Sequence, residues 1–76
     1  MKMFDHQLFC KRLKKAMRSK GIKNYELAKR ACISTVSIAF YRTGQRLPTL
    51  DNAFYIADAL GVSLDWLCGK GEDNEV

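Results

Sequence analysis

Apolar positions recur along this chain with the period of a helix, and short polar punctuation separates the runs. Phe9, Leu13, Ala16 and Met17 stand at i, i+4, i+7 and i+8, which places them on one helical face. Asp5 suits an N-cap before them and Gly21 a left-handed stop after Lys20, so a first helix is predicted over about residues 6–19. Its other face carries Lys11, Arg12, Lys14, Lys15 and Arg18 and is expected to be mostly solvated. A second, short helix is predicted over 24–31 with Leu27, Ala28 and Ala31 inward. Cys32 and Ile33 make a turn. Ser34 then caps a third helix over about 35–42, with Ile38 and Tyr41 inward and Gly44 ending it. After a loop over 45–48, Thr49 caps a fourth helix over 50–60, in which Leu50, Ala53, Phe54, Ala57 and Leu60 follow the 3.6-residue period. Gly61 ends that helix, and Ser63 opens a last short one through Leu67. No run alternates as a strand would. The expected fold class is all-α, a compact five-helix bundle with short connections and non-parallel crossings.

The pair of short helices around Cys32 and Ile33 is where the pattern suggests function. Ala28 is small where helix 2 must pass close to helix 3, and Ser34 satisfies the open amides of helix 3. The outer positions of helix 3 are then Thr35, Val36, Ser37, Ala39 and Phe40, all uncharged. A helix offered to solvent normally carries Lys and Glu there, whereas small uncharged side chains suit close approach to another surface. Arg42, Gln45 and Arg46 follow at once, where phosphates would flank a helix lying in a DNA groove.

Charge fits a polyanionic partner. The 76 residues hold 13 Lys plus Arg against 8 Asp plus Glu, a net +5, but three of the acids lie in the last five residues. Residues 1–71 carry 13 bases against five acids, or +8. The expected organisation is one domain over 1–68 followed by an acidic, disordered tail over 69–76.

Other chemistry finds little support. Cys10, Cys32 and Cys68 are an odd number at wide spacing with no C-x-x-C pair, which reads as reduced cytosolic thiols. His6 and Cys10 share a helix face, but structural zinc needs four ligands, so no metal and no cofactor is expected. With one His, no nucleophile–base pair and no phosphate-binding loop, an enzyme is not expected. The N-terminus has no long apolar run, so neither a signal peptide nor a membrane span is expected, and the chain is placed in the cytoplasm.

At this point the sequence resembles the lambda-repressor-like, or Cro-type, helix-turn-helix regulators of the XRE family. The resemblance covers about residues 8–69, through "FCKRLKKAMRSKGI", "ELAKRACIS", "SIAFYRTGQRLP" and "LDNAFYIADALGVSLDWLCG". It implies that helices 2 and 3 form the helix-turn-helix, that helix 3 reads the major groove, and that dimers bind pseudo-palindromic operators in double-stranded DNA. Thr35, Val36, Ser37 and Phe40 take the base-reading places. Asn24, Tyr25, Arg42, Thr43, Gly44, Gln45 and Arg46 take the phosphate-contacting places, Thr43 and Gly44 through their backbone amides. Trp66 and Leu67 stand where members commonly dimerise, though Trp66 equally suits closing the core. The bases of helix 1 are expected to be mostly solvated, with one or two near DNA, and no small-molecule ligand is implied.

The departures from the family pattern matter. Cys32 replaces the usual turn Gly, and a non-Gly residue in the left-handed conformation costs roughly 1 kcal/mol. Lys23 replaces a capping Thr, so the cap of helix 2 is weak or shifts to Asn24. Met17 and Arg42 stand where an Arg–Glu ion pair is usual, which leaves Arg42 free to reach phosphate. The reading set holds no Arg, Asn or Gln for bidentate contacts to guanine or adenine. Specificity is then expected to lean on thymine-methyl packing by Val36, Phe40 and Thr35 and on DNA shape. A repressor of phage or mobile-element type is the leading expectation. An antitoxin, or a protein-contact module on the same scaffold with Phe40 as the contact residue, is the alternative.

Overall fold

The computed structural model describes residues 4–72, and five α-helices make up its regular structure. They are α1 (His6–Lys20), α2 (Asn24–Ala31), α3 (Thr35–Thr43), α4 (Leu50–Leu60) and α5 (Leu64–Leu67). No strand occurs among the described residues, and none of the helices is long and apolar enough to cross a membrane.

The caps are those the sequence predicts. The Asp5 carboxylate accepts from Leu8 N at 3.1 Å, Ser34 Oγ from Ser37 N at 3.1 Å, Thr49 Oγ1 from Asn52 N at 3.4 Å and Ser63 Oγ from Trp66 N at 3.0 Å. Each supplies one of the acceptors that a first turn lacks. Gly21, Gly44 and Gly61 end α1, α3 and α4 in the left-handed conformation.

The core is built from the faces the periodicity defines. Phe9, Leu13, Ala16 and Met17 of α1 meet Leu27, Ala28 and Ala31 of α2, Ile38 and Tyr41 of α3, and Trp66 and Leu67 of α5. In α4 the expected inward set is partly wrong. Leu50 and Phe54 are 76% and 53% exposed, while Ile56, which the pattern did not single out, is fully buried. The helix packs with Ala53, Ile56, Ala57 and Leu60 inward, at i, i+3, i+4 and i+7. With this face packed inward, the 50/54 edge is turned outward.

Arg12 also departs from expectation. It is only 4% exposed, among the core residues of α1 rather than on its solvated face. Its Nη1 donates to Trp66 O at 2.6 Å and Lys70 O at 2.7 Å, its Nη2 to Gly71 O at 2.8 Å, and its guanidinium lies 5.2 Å from the Trp66 ring centroid. A buried cation is tolerable when its fork of donors is met by carbonyl dipoles and a ring face. Trp66 Nε1 in turn donates to Glu72 O at 2.7 Å. Residues 69–72, expected to begin a frayed tail, are therefore tied to the core through their backbone; residues 73–76 lie outside the described residues.

Candidate nucleic-acid interface

The site is built on the turn between α2 and α3. Cys32 takes the left-handed conformation there, at φ 57° and ψ 43°, as its place in the pattern demands. Ile33 N then reaches back to Ala28 O at 3.0 Å and closes the turn. α3 is held from two sides: Cys10 Sγ donates to Tyr41 O at 3.3 Å, and Asn52 Nδ2 of α4 donates to the Tyr41 hydroxyl at 3.1 Å. With Ile38 and Tyr41 locked inward, Thr35 and Val36 face out, and Val36 is 62% exposed. Ser37 is half-buried, and its hydroxyl accepts from Ser34 Oγ at 2.8 Å, which leaves its own proton for an outside acceptor.

Phe40 is half-buried rather than bare. The Arg46 guanidinium sits 5.1 Å from its ring centroid, so a base-reading candidate and a phosphate-contact candidate form one cation–π unit.

At the start of α2 the cap residue is Lys23, whose ammonium cannot accept a hydrogen bond. The Glu26 carboxylate covers Lys23 N at 3.2 Å, half of a capping box, and no cap side chain serves the amides of the first turn. Those amides and the dipole of α2 give the helix start a partial positive charge. Tyr25, 64% exposed, stands beside it.

Two expectations are corrected here. Arg42 is not free, because its Nη1 donates to Asn24 Oδ1 at 2.6 Å across 18 residues of sequence. With Oδ1 taken, the Asn24 amide is oriented so that Nδ2, a donor, is the end left for an anion. Nor does the Gly44 amide face outward. Gly44, with φ 83°, bends the chain so that its own amide, Gln45 N and Arg46 N all converge on Phe40 O. The Thr43 hydroxyl also donates to Phe40 O, at 3.3 Å. The exposed side chains of Gln45 and Arg46, not backbone amides, are what this loop offers.

Trp66 and Leu67 do not form a contact surface. They are 1% and 0% exposed, so Trp66 closes the core, and neither side chain is available to a second copy. Two contributors escaped the sequence reading. Arg12 stands three residues after Phe9, inside the apolar stripe, which was a usable signal of burial. Asn52 carries no local signal, since its partner Tyr41 lies on another helix.

Comparison with known proteins agrees with this geometry. The chain is 42% identical over 50 residues to the cryptic phage CTXphi transcriptional repressor RstR of Vibrio cholerae serotype O1, a match covering 66% of this chain and 45% of that protein. The match thus spans less than half the length of that relative. Among solved structures, a transcriptional regulator from Listeria innocua superposes with a TM-score of 0.73 at 25% identity, over 84% of this chain and 60% of the other. The helix-turn-helix family HTH_3 matches residues 13–67, from the middle of α1 to the end of α5. On that match the chain belongs to the helix-turn-helix family, a class of DNA-binding domain.

Proposed function

We propose that this chain is a sequence-specific transcriptional regulator, a cytoplasmic repressor of phage or mobile-element type, that inserts α3 into the major groove as a homodimer on a pseudo-palindromic operator. The observation that carries this reading is the arrangement around α3. An uncharged outer face, with Thr35 and Val36 exposed, lies between the uncapped start of α2 and the exposed side chains of Gln45 and Arg46. Phosphate contacts at both ends would fix the register, and the face between them would touch bases. The printed description of the Vibrio cholerae relative as a phage transcriptional repressor supports the same direction.

Selection of sites from random duplex DNA tests this. The expected product is an inverted repeat with half-sites about 34 Å apart, bound with a steep salt dependence. Phe40→Ala is expected to weaken preference at thymine positions by about tenfold, the equivalent of ~1.4 kcal/mol. Unchanged preference would remove Phe40 from the reading set. The Phe40–Arg46 unit also favours a second reading, a protein-contact module or antitoxin, because an aromatic ring paired with Arg is a common protein anchor. A flat salt response, with no binding to any duplex, would select that reading.

A further inference from the structure

An open groove of about 930 Å³ runs between the outer face of α1 and the C-terminal end of α3. Lys11, Lys14, Lys15 and Arg18 form its α1 wall, and Arg42 stands opposite. Among the described residues no Asp or Glu lines it. Its floor is formed where His6 and Cys10 approach Gly44; a Cβ built on Gly44 would lie 3.7 Å from His6 Nε2 and 3.5 Å from Cys10 Sγ. The Cys10 thiol, held protonated by its burial, adds no negative charge.

Two polar atoms in this groove lack partners. His6 Nε2 and Arg42 Nε are shielded from solvent and make no hydrogen bond. Arg42 Nε can only donate, and its guanidinium gives Nη1 to the neutral Asn24 carbonyl. A half-buried cation with an unmet donor, close to the exposed Lys14 and Arg18, is a place where an anion would be stabilised. Along α1, Lys11 to Arg18 spans about 10 Å at 1.5 Å per residue, and one DNA strand carries a phosphate about every 3.4 Å along the helix axis. A row of phosphates matches that length better than a single small anion.

We propose that this groove is a second phosphate-binding site, which takes the backbone of a DNA strand as it runs past Thr43 and Gly44 and along α1. The proposal rests on the DNA-binding reading above and extends its phosphate contacts from Arg42, Thr43 and Gly44 to the α1 wall, whose Lys14 and Arg18 that reading does not use. The chemistry it recognises is a chain of phosphates, and a free oligophosphate presents the same chemistry.

Lys14→Gln/Arg18→Gln removes two exposed cations from the wall with a good helix former. Lys29→Gln/Arg30→Gln, on α2 and outside the groove, makes the same change in charge. In salt titrations with a duplex, the groove variant is expected to lose about 1.8 from the slope of log K against log salt, at 0.9 per phosphate, with base preference unchanged. The α2 variant is expected to lose less than half of that. A groove variant whose slope equals the wild type, or falls no more than that of the α2 variant, overturns the proposal while leaving DNA binding intact. If the wild type binds no duplex, the DNA reading fails, and titration of ¹⁵N-labelled protein with inorganic tripolyphosphate decides. Shifts at His6, Cys10 and Gly44 that vanish in the groove variant support a site for free phosphates, and their absence ends the proposal.

Discussion

Arg12 shows how one side chain can belong to a core while looking like surface. It sits on a helix with five other cations, and its charge argues for solvent. Its position three residues after Phe9 argues for burial, and the structure resolves the conflict with three carbonyls drawn from 54 to 59 residues away. Arg12→Met is expected to destabilise the domain by about 2–3 kcal/mol, because donors to carbonyls are lost and those carbonyls stay partly covered. In a domain of this size that lowers Tm by roughly 10–20 °C, readable by circular dichroism. A shift under about 0.5 kcal/mol would show that the contact is incidental. The thiols make a second residue-scale case. Burial raises the pKa of Cys10 and of Cys68, while Cys32 is exposed in its turn. Since the thiolate is the nucleophile, a thiol reagent at neutral pH is expected to modify Cys32 first, at one equivalent per chain. Cys10 and Cys68 should follow only in denaturant or as pH rises past the ordinary thiol value. Three equivalents at a single rate would contradict this.

At the scale of elements, what was legible depended on how local each cause is. Caps act over three residues, so Asp5, Ser34, Thr49 and Ser63 could be read directly, and with them the limits of the helices. The inward face of α4 could not, because two stripes of apolar residues overlap on it. Only the packing of the helix against the rest of the bundle selects one of them, and that packing is not written in the helix itself. The join between α2 and α3 was hidden for the same reason: Asn24 and Arg42 lie 18 residues apart and are hydrogen-bonded to each other. This pairing predicts non-additivity in DNA affinity. Asn24→Ala is expected to weaken binding about tenfold in the natural background and less than threefold in Arg42→Met, where the amide is no longer oriented. The missing factor corresponds to a coupling of about 1 kcal/mol. Additive effects from fluorescence anisotropy titrations would mean that the two side chains act independently.

The whole molecule is electrically divided. From Leu47 to Gly69 the chain has no Lys or Arg and carries three Asp, while residues 1–46 carry 12 of the 13 bases. The candidate interface and the groove beside α1 draw on the basic part, and the face left by α4 belongs to the other. On that face Leu50, Phe54 and Tyr55 are 76%, 53% and 48% exposed, next to Phe4 at 50% and Leu47 at 45%. Phe54 and Tyr55 stack edge to face with centroids 5.8 Å apart, and Phe4, Leu47 and Leu50 line one shallow depression. Such a surface is poorly suited to DNA, whose phosphates would meet Asp51 and Asp58. At 150–250 Å² per aromatic side chain, these five residues leave on the order of 400 Å² of apolar surface uncovered. A standard interface takes about 800 Å² from each partner, a little over half of it apolar, so the amount fits one side of a homodimer. For the homodimer proposed above, the face expected to pair two copies is α4 with the loop before it, since Trp66 and Leu67 are buried. Phe54→Glu is expected to leave the fold and half-site binding unchanged, because Phe54 contributes to neither. By sedimentation it is expected to turn the dimer into monomer, and affinity for the full inverted repeat should fall to that for a half-site. A Phe54→Glu protein that sediments and binds like the natural chain would move the dimer contact elsewhere, with the assignment of α3 to the groove untouched.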